Sequence, residues 1–290
     1  MEKKLYFNID YEAMASLLFS FRFLFYNSVD GQASKLVAKE FDYQSEQRQI
    51  AYLEVLFSLD DFKHLEQGLY KLTNYYKTQP HLISEASLFA LNEYIRTNNL
   101  LPASGEWANS SDGFIHLVAY SLRAYAKEGK YLLDREQTFA NIETITKLTH
   151  SNMRVVISHT IFFALLAKMY EYRLANNGKT LNRRQVANLI DEALRKVLYH
   201  YRDYQYLGEL RYFVRLDKQL YDHATTILPS SQIQKIKAKE LRAANYVVDS
   251  VETLLYTLLK FNKYQNGLDF IADIPGVSAY NLMLYTLLYS

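Results

Sequence analysis

Apolar residues recur at helical spacing along most of this chain, and in one stretch they cover a helix on nearly every side. Between residues 145 and 174 the sequence places Val155, Val156, Ile157, Ile161, Phe162, Phe163, Leu165, Leu166 and Met169 within a few turns. A helix that is apolar almost all round belongs in the middle of a bundle, covered by its neighbours. Ser151 is the expected N-cap, and Asn177-Gly178 supplies a left-handed stop after charges return past Lys168.

The remaining pattern predicts further helices with little between them. They fall at residues 11–26 after Asp10, 61–77 after Asp60 and before Pro80, 85–97 after Ser84, and from Ser111 or Asp112 through Tyr125. Asn182 with Gln185 forms a capping-box pattern ahead of 183–201. Ser231 with Gln234 repeats it ahead of 233–243, Asp249 with Glu252 ahead of 251–261, and Asn262 with Gln265 ahead of a short helix. Ser278 caps a final one. Period-two alternation is almost absent, so the class is all-α. No repeat at a fixed period is visible, and the loops at 98–109 and 229–231 are short, which predicts one compact multi-helix domain over residues 1–290.

Composition narrows the function classes. The chain has no cysteine, so it has no disulfide framework, thiolate nucleophile or cysteine metal knuckle. A formal net charge of +2 gives no electrostatic case for nucleic acid or an anionic membrane surface. The row Lys235, Lys237, Lys239 and Arg242 reads as a solvated helix face, and Asp60-Asp61 as a favourable charge at a helix start. The 26 tyrosines suit half-buried faces, where a ring packs and a hydroxyl reaches water. Residues 15–26 are interrupted by Arg22 with no cleavage site after them, and residues 155–167 are shorter than the roughly 18 a spanning helix needs. The expectation is a soluble, cytoplasmic protein with no membrane and no nucleic acid among its partners; nothing in the pattern sets an oligomeric state.

Signatures of catalysis are sparse. No glycine-rich phosphate loop, nucleophile elbow or zinc-binding His-Glu-x-x-His occurs. His150 and His159 are nine positions apart, about two and a half helical turns, which reads as capped or core histidines rather than a metal pair.

Two stretches together resemble the ADP-ribosylglycohydrolase family. Leu148-Thr149-His150-Ser151-Asn152, followed by a long apolar helix, is similar to that family's Thr-His helix start. Asn245-Tyr246-Val247-Val248-Asp249-Ser250-Val251-Glu252-Thr253-Leu254 is similar to its Gly-Tyr-Val-Val-Asp-Thr-Leu-Glu segment. The resemblance runs from about Tyr11 to the C-terminus. It implies an all-helical fold, two magnesium ions, and hydrolysis of ADP-ribosyl N- or O-glycosidic bonds. The metal motifs depart from the family. Thr-Asp-Asp-Thr-Gln falls on Ser45-Glu46-Gln47-Arg48-Gln49, which keeps one carboxylate and puts a cation beside it. Asn-Gly-Ser-x-Met-Arg falls near Ser111-Asp112-Gly113-Phe114-Ile115-His116, and the glycine-punctuated first helix falls on residues 15–24, which hold neither glycine nor acid. Gly-Asp-x-Asp-Thr falls near Pro275-Gly276-Val277-Ser278-Ala279, with Asp273 displaced from it.

Magnesium needs carboxylates to hold it, so the expectation is a pseudoenzyme with no bound metal and no catalytic residues. It acts by binding an ADP-ribose-like ligand or a protein partner, with Glu46, Ser111, Asp112, His150, Tyr246 and Ser278 as candidate ligand-binding residues. The alternatives are an active metal-dependent ADP-ribosyl hydrolase, should Asp42, Asp112 and Asp273 regroup in space, and a helical adaptor or immunity-type interaction protein with a tyrosine-rich surface.

Overall fold

The long apolar helix is the hub of the structure. The computed structural model of the chain describes residues 55–56, 65–78, 85–98, 108–176, 181–218 and 227–289. The predicted helix at 11–26, Glu46 and its motif at 45–49, Asp42, the caps Asp60 and Ser84, and Asn177-Gly178 lie outside the described residues. Those described are mostly helical and contain no strand, only one isolated antiparallel bridge between Ser110 and Tyr246.

In chain order the helices are α1 (Leu65–Thr78), α2 (Glu85–Thr97), α3 (Phe114–Glu128), α4 (Glu136–Lys147) and α5 (Met153–Ala175). After them come α6 (Arg183–His200), α7 (Leu207–Leu210), α8 (Pro229–Ile233), α9 (Val247–Lys260), α10 (Tyr264–Ala272) and α11 (Ala279–Tyr289). A 3₁₀ turn at Ser111–Gly113 leads into α3, and another at Gly129–Asp134 connects towards α4.

Every residue of α5 from Val155 to Ala167 is buried, and α3, α4, α6, α9 and α11 pack around it. Each fully buried Leu, Ile or Phe there contributes about 1.5–3 kcal/mol relative to an exposed position. The helix is therefore centred by its own composition. Met153–Arg173 is also long and apolar enough, by length and composition, to cross a membrane; 78% of that stretch is buried inside this fold.

Local signals set several boundaries as expected. The capping box at α6 has both arms, Gln185 N–H to Asn182 Oδ1 at 3.0 Å and Asn182 N–H to Gln185 Oε1 at 2.8 Å. Ser278 Oγ accepts from Tyr280 N–H at 3.3 Å at the start of α11.

Others differ. The cap of α5 is Asn152, whose side chain accepts from Arg154 N–H at 2.9 Å, not Ser151. α9 begins at Val247, four residues before its predicted start, because the backbone bridge to Ser110 fixes Tyr246 as its N-cap. Asp249 then lies in the first turn, where the positive end of the helix favours it. Asn262 does not cap α10; its side chain accepts from Arg183 Nε at 2.8 Å, and Lys263 takes the cap position. The predicted helix 233–243 is absent. Pro229 starts a short α8 instead, which Asp191 pins by accepting from the Ser230 N–H and hydroxyl at 2.7 and 2.8 Å. The lysine-rich stretch beyond it has only Ile236 half-buried and forms a single 3₁₀ turn at Ala238–Glu240. α4 carries no predicted start, yet it buries Phe139, Ile142 and Ile145 against α5.

Candidate functional site

Three distant segments cross at Ser110. The bridge pairs it with Tyr246, Ser111 N–H donates to Asn245 O at 2.9 Å, and Val247 N–H donates to Asn109 O at 2.9 Å. Ser111 also donates its hydroxyl to Asn245 Oδ1 at 2.7 Å. This clasp holds the start of α9 against the start of α3. The 3₁₀ turn that follows carries Asp112, and the first turn of α3 carries His116, one helical turn further on, so both point into the core. Thr149 and His150 come from the turn between α4 and α5, closed by His150 N–H to Thr146 O at 2.9 Å.

A continuous set of polar contacts results. Asp112 Oδ1 accepts from Ser110 Oγ at 2.5 Å and Oδ2 from Ser87 Oγ, on α2, at 2.6 Å. Ser110 Oγ lies 2.9 Å from His150 Nε2, which is 3.4 Å from Asp112 Oδ1. Thr149 Oγ1 lies 2.9 Å from His150 Nδ1 and 3.2 Å from His116 Nδ1. His116 Nε2 lies 3.1 Å from the Tyr76 hydroxyl on α1. Asp112, His116, Thr149 and His150 are all buried.

His159 stands beside this path. Its Nδ1 meets Thr146 Oγ1 at 3.0 Å, its ring packs on Phe114, and its Nε2 has no hydrogen-bond partner among the described residues. Its ring centre is 6.4 Å from that of His150. The two histidines are not two and a half turns apart, because His150 precedes α5 instead of lying on it. Gly113 makes room for both: a methyl at its Cα would sit 2.8 Å from His150 Nδ1 and from His159 Cε1.

Burial sets the electrostatics. It pushes His116 down to about 4, opposed by Asp112 and reinforced by His150. It pushes His159 well below the ordinary imidazole range, with His150 and His116 adding to the effect and Asp112 opposing it. The Tyr280 phenol on α11 is raised well above its usual value, first by burial and then by Asp112 and Tyr76 beside it. These two imidazoles are neutral near pH 7.

Of the candidate residues, Ser111, Asp112 and His150 come together in this buried set. Tyr246 is half-buried beside the Ser110 crossing, with its hydroxyl accepting from Arg154 Nη1 at 3.3 Å. Arg154 stacks on the Tyr212 ring at 3.5 Å and donates to Glu209 at 2.8 Å. Ser278 stands apart as the cap of α11, tied through its N–H to Ala243 O at 2.7 Å. Ser110, Ser87, Tyr76 and His116 are the members that the sequence did not single out. Only His116 carried a local signal, since it lies four residues after Asp112 on one helix face.

The described residues do not fit the magnesium pair that the resemblance implies. Both oxygens of Asp112 already accept from serine hydroxyls, and among the described residues no three His, Asp or Glu side chains group as metal ligands. Asp273 is exposed at the end of α10. A hard cation needs several oxygen ligands at once. Nor is this an acyl-transfer triad. There the acid holds the histidine nitrogen opposite the serine, whereas Asp112 and Ser110 share the Nε2 side and Thr149 holds Nδ1. The arrangement shares protons among fixed atoms. No family model, no curated protein and no solved structure matches the chain.

Proposed function

We propose that the chain is a non-catalytic, ADP-ribosylglycohydrolase-like protein that binds a nucleotide-like ligand beside the Ser110 crossing. One observation carries this reading. The segments that resemble the family, at Thr149-His150 and Asn245-Tyr246, are far apart in sequence yet both are held against Ser110 and Ser111 by hydrogen bonds of 2.7–2.9 Å. The residues there offer fitting chemistry: the exposed Asn245 amide for polar edges, the half-buried Tyr246 ring for a base, and the Arg154 guanidinium, which would exchange Glu209 and Tyr246 for phosphate. Asp112 is committed to two hydroxyls, and no second carboxylate joins it among the described contacts.

The test is calorimetric titration of chelator-treated protein with ADP-ribose, with and without magnesium. Saturable binding that magnesium leaves unchanged, and that Arg154→Ala weakens about tenfold, is expected; tenfold corresponds to about 1.4 kcal/mol. Absence of both heat and a thermal shift would remove the nucleotide reading. Release of ADP-ribose from arginine- or serine-linked substrates on adding magnesium or manganese would overturn the non-catalytic one.

A further inference from the structure

The start of α6, the residue after α8 and the end of α9 enclose a cleft of about 330 Å³. Arg183 and Arg184 enter it from α6, Tyr256 and Lys260 from α9, and Gln234 from beside them, with Ala187 and Leu259 completing the wall. Three cations therefore share one opening, and no carboxylate is among the residues that line it.

Arg183 is fixed by the helix ends it joins. The last carbonyls of a helix lack partners within it, and Arg183 Nη2 donates to Lys260 O at 2.7 Å while its Nε donates to Asn262 Oδ1 at 2.8 Å. Both acceptors are neutral, so the guanidinium is held in place with its charge uncompensated. Of its five N–H donors these bonds use two, and three remain free among the described residues. Arg184 and Lys260 are exposed, and among the described residues their side chains make no hydrogen bond or ion pair. The nearest acids along the two helices are engaged elsewhere. Asp191, one turn beyond Ala187, is buried and accepts from the Ser230 N–H and hydroxyl. Glu252, one turn before Tyr256, pairs with Arg215 at 3.0 Å.

Like charges gathered in one cleft repel, and an anion within reach of all three relieves them. Two forked guanidinium groups and a lysine point charge suit a tetrahedral oxyanion with several oxygens to share. The buried Tyr256 ring, with Ala187 and Leu259, leaves an apolar wall beside it. The volume stands at the lower end of small-ligand sites, which run from about 300 to 1,000 Å³. We propose that this cleft is a phosphate-binding site, taking inorganic phosphate or the phosphate end of a small ester. It stands at the opposite end of α9 from Tyr246, roughly 20 Å along the helix, and so is separate from the ligand site beside the Ser110 crossing.

Proton–nitrogen correlation spectra of the ¹⁵N-labelled full chain, titrated with sodium phosphate at neutral pH and constant ionic strength, test this. Saturable shifts are expected at the amides of residues 183–187 and 256–260, with a dissociation constant of about 1 mM. Arg184→Gln and Lys260→Gln are each expected to weaken binding about fivefold, and the two together by at least roughly tenfold. Arg195→Gln, an exposed arginine three turns further along α6, and Arg154→Ala leave it unchanged. Phenyl phosphate separates the two sources, and either answer supports the site. Tighter binding than inorganic phosphate identifies an ester lying on the Tyr256 wall, and equal or weaker binding identifies the free ion. Shifts that stay linear up to roughly ten times the expected constant overturn the proposal. So do shifts that gather at residues 110–112 and 246 instead, or that persist undiminished in the double variant. The wild-type titration can overturn it without any variant.

Discussion

Adding a single methyl at Gly113 tests whether the two buried imidazoles are as tightly held as their contacts indicate. A Cβ there meets His150 Nδ1 and His159 Cε1 at 2.8 Å and His150 Cε1 at 3.1 Å, where ordinary contact begins near 3.4 Å. Both rings must therefore retreat by about 0.6 Å from positions at packing contact. A shift of that size in His150 stretches its 2.9 Å bond to Thr149 or to Ser110 towards 3.5 Å, the edge of a hydrogen bond. Losing one such bond in a dry interior costs about 1–3 kcal/mol. The backbone at Gly113 has no left-handed φ, so alanine regains about 0.5–1 kcal/mol from the unfolded chain. The net expectation for Gly113→Ala is a loss of about 1–2 kcal/mol, read in urea as a midpoint lower by about half a molar with an unchanged slope. Gly208→Ala is the matched control, because nothing lies within 4 Å of a methyl at that position. A Gly113→Ala protein as stable as the wild type would refute the reasoning, since it would mean that the rings give way freely.

Acid should destabilise the fold through its histidines. Unfolded imidazoles titrate near 6.5, whereas His116 is held down to about 4 and His159 lower than its ordinary value, so between pH 6.5 and 4 only the unfolded state takes up these protons. For His116 alone the full loss is on the order of 3 kcal/mol; urea midpoints that stay flat from pH 7 to 4.5 would contradict it. Glu252 has the opposite sign. Burial raises it to about 7 despite Arg215 at 3.0 Å, so its stabilisation is complete below pH 4.5 and is lost as pH rises to 7. Glu252→Gln should gain stability relative to wild type across that interval, by up to the order of 2 kcal/mol, and a pH-independent difference would count against it. Asn182→Ala removes the side-chain arm of the α6 capping box, the bond from Gln185 N–H, and should cost about 1 kcal/mol in the same assay.

What the chain shows in advance divides along a physical line. The α6 cap, the apolar centre of α5 and the Ser278 cap rest on neighbours within a turn, and pattern reading finds them. The early start of α9 depends on a backbone bridge to a residue 136 positions away, and the short α8 depends on a carboxylate from α6; neither leaves a local mark. The candidate site divides in the same way. Asp112, Ser111 and His150 stand near helix starts and drew attention there. Ser87, Tyr76 and His116 look like ordinary helix residues until α1, α2 and α3 converge on them. Hydroxyls and imidazoles carry no formal charge at neutrality, so composition and charge patterning pass over a network made of them.

The sharpest probe of that network is the group at its end. Asp112 offers two accepting oxygens and takes a proton from a serine on each. Asparagine keeps the shape but replaces one acceptor with an amide donor, so one serine must turn round. Ser110 has His150 Nε2 as a second acceptor 2.9 Å away, and its hydroxyl can turn at the cost of a tautomer exchange alone. His150 then carries its proton on Nδ1 and donates to Thr149, Thr149 donates to His116 Nδ1, and His116 holds Nε2–H. Asp112→Asn is therefore expected to hold His116 in the Nε2–H form. In proton–nitrogen correlation spectra of the ¹⁵N-labelled variant His116 should show the Nε2–H form at pH 8. If the variant folds and His116 takes the Nδ1–H form, the orientation of these hydrogen bonds does not depend on the carboxylate.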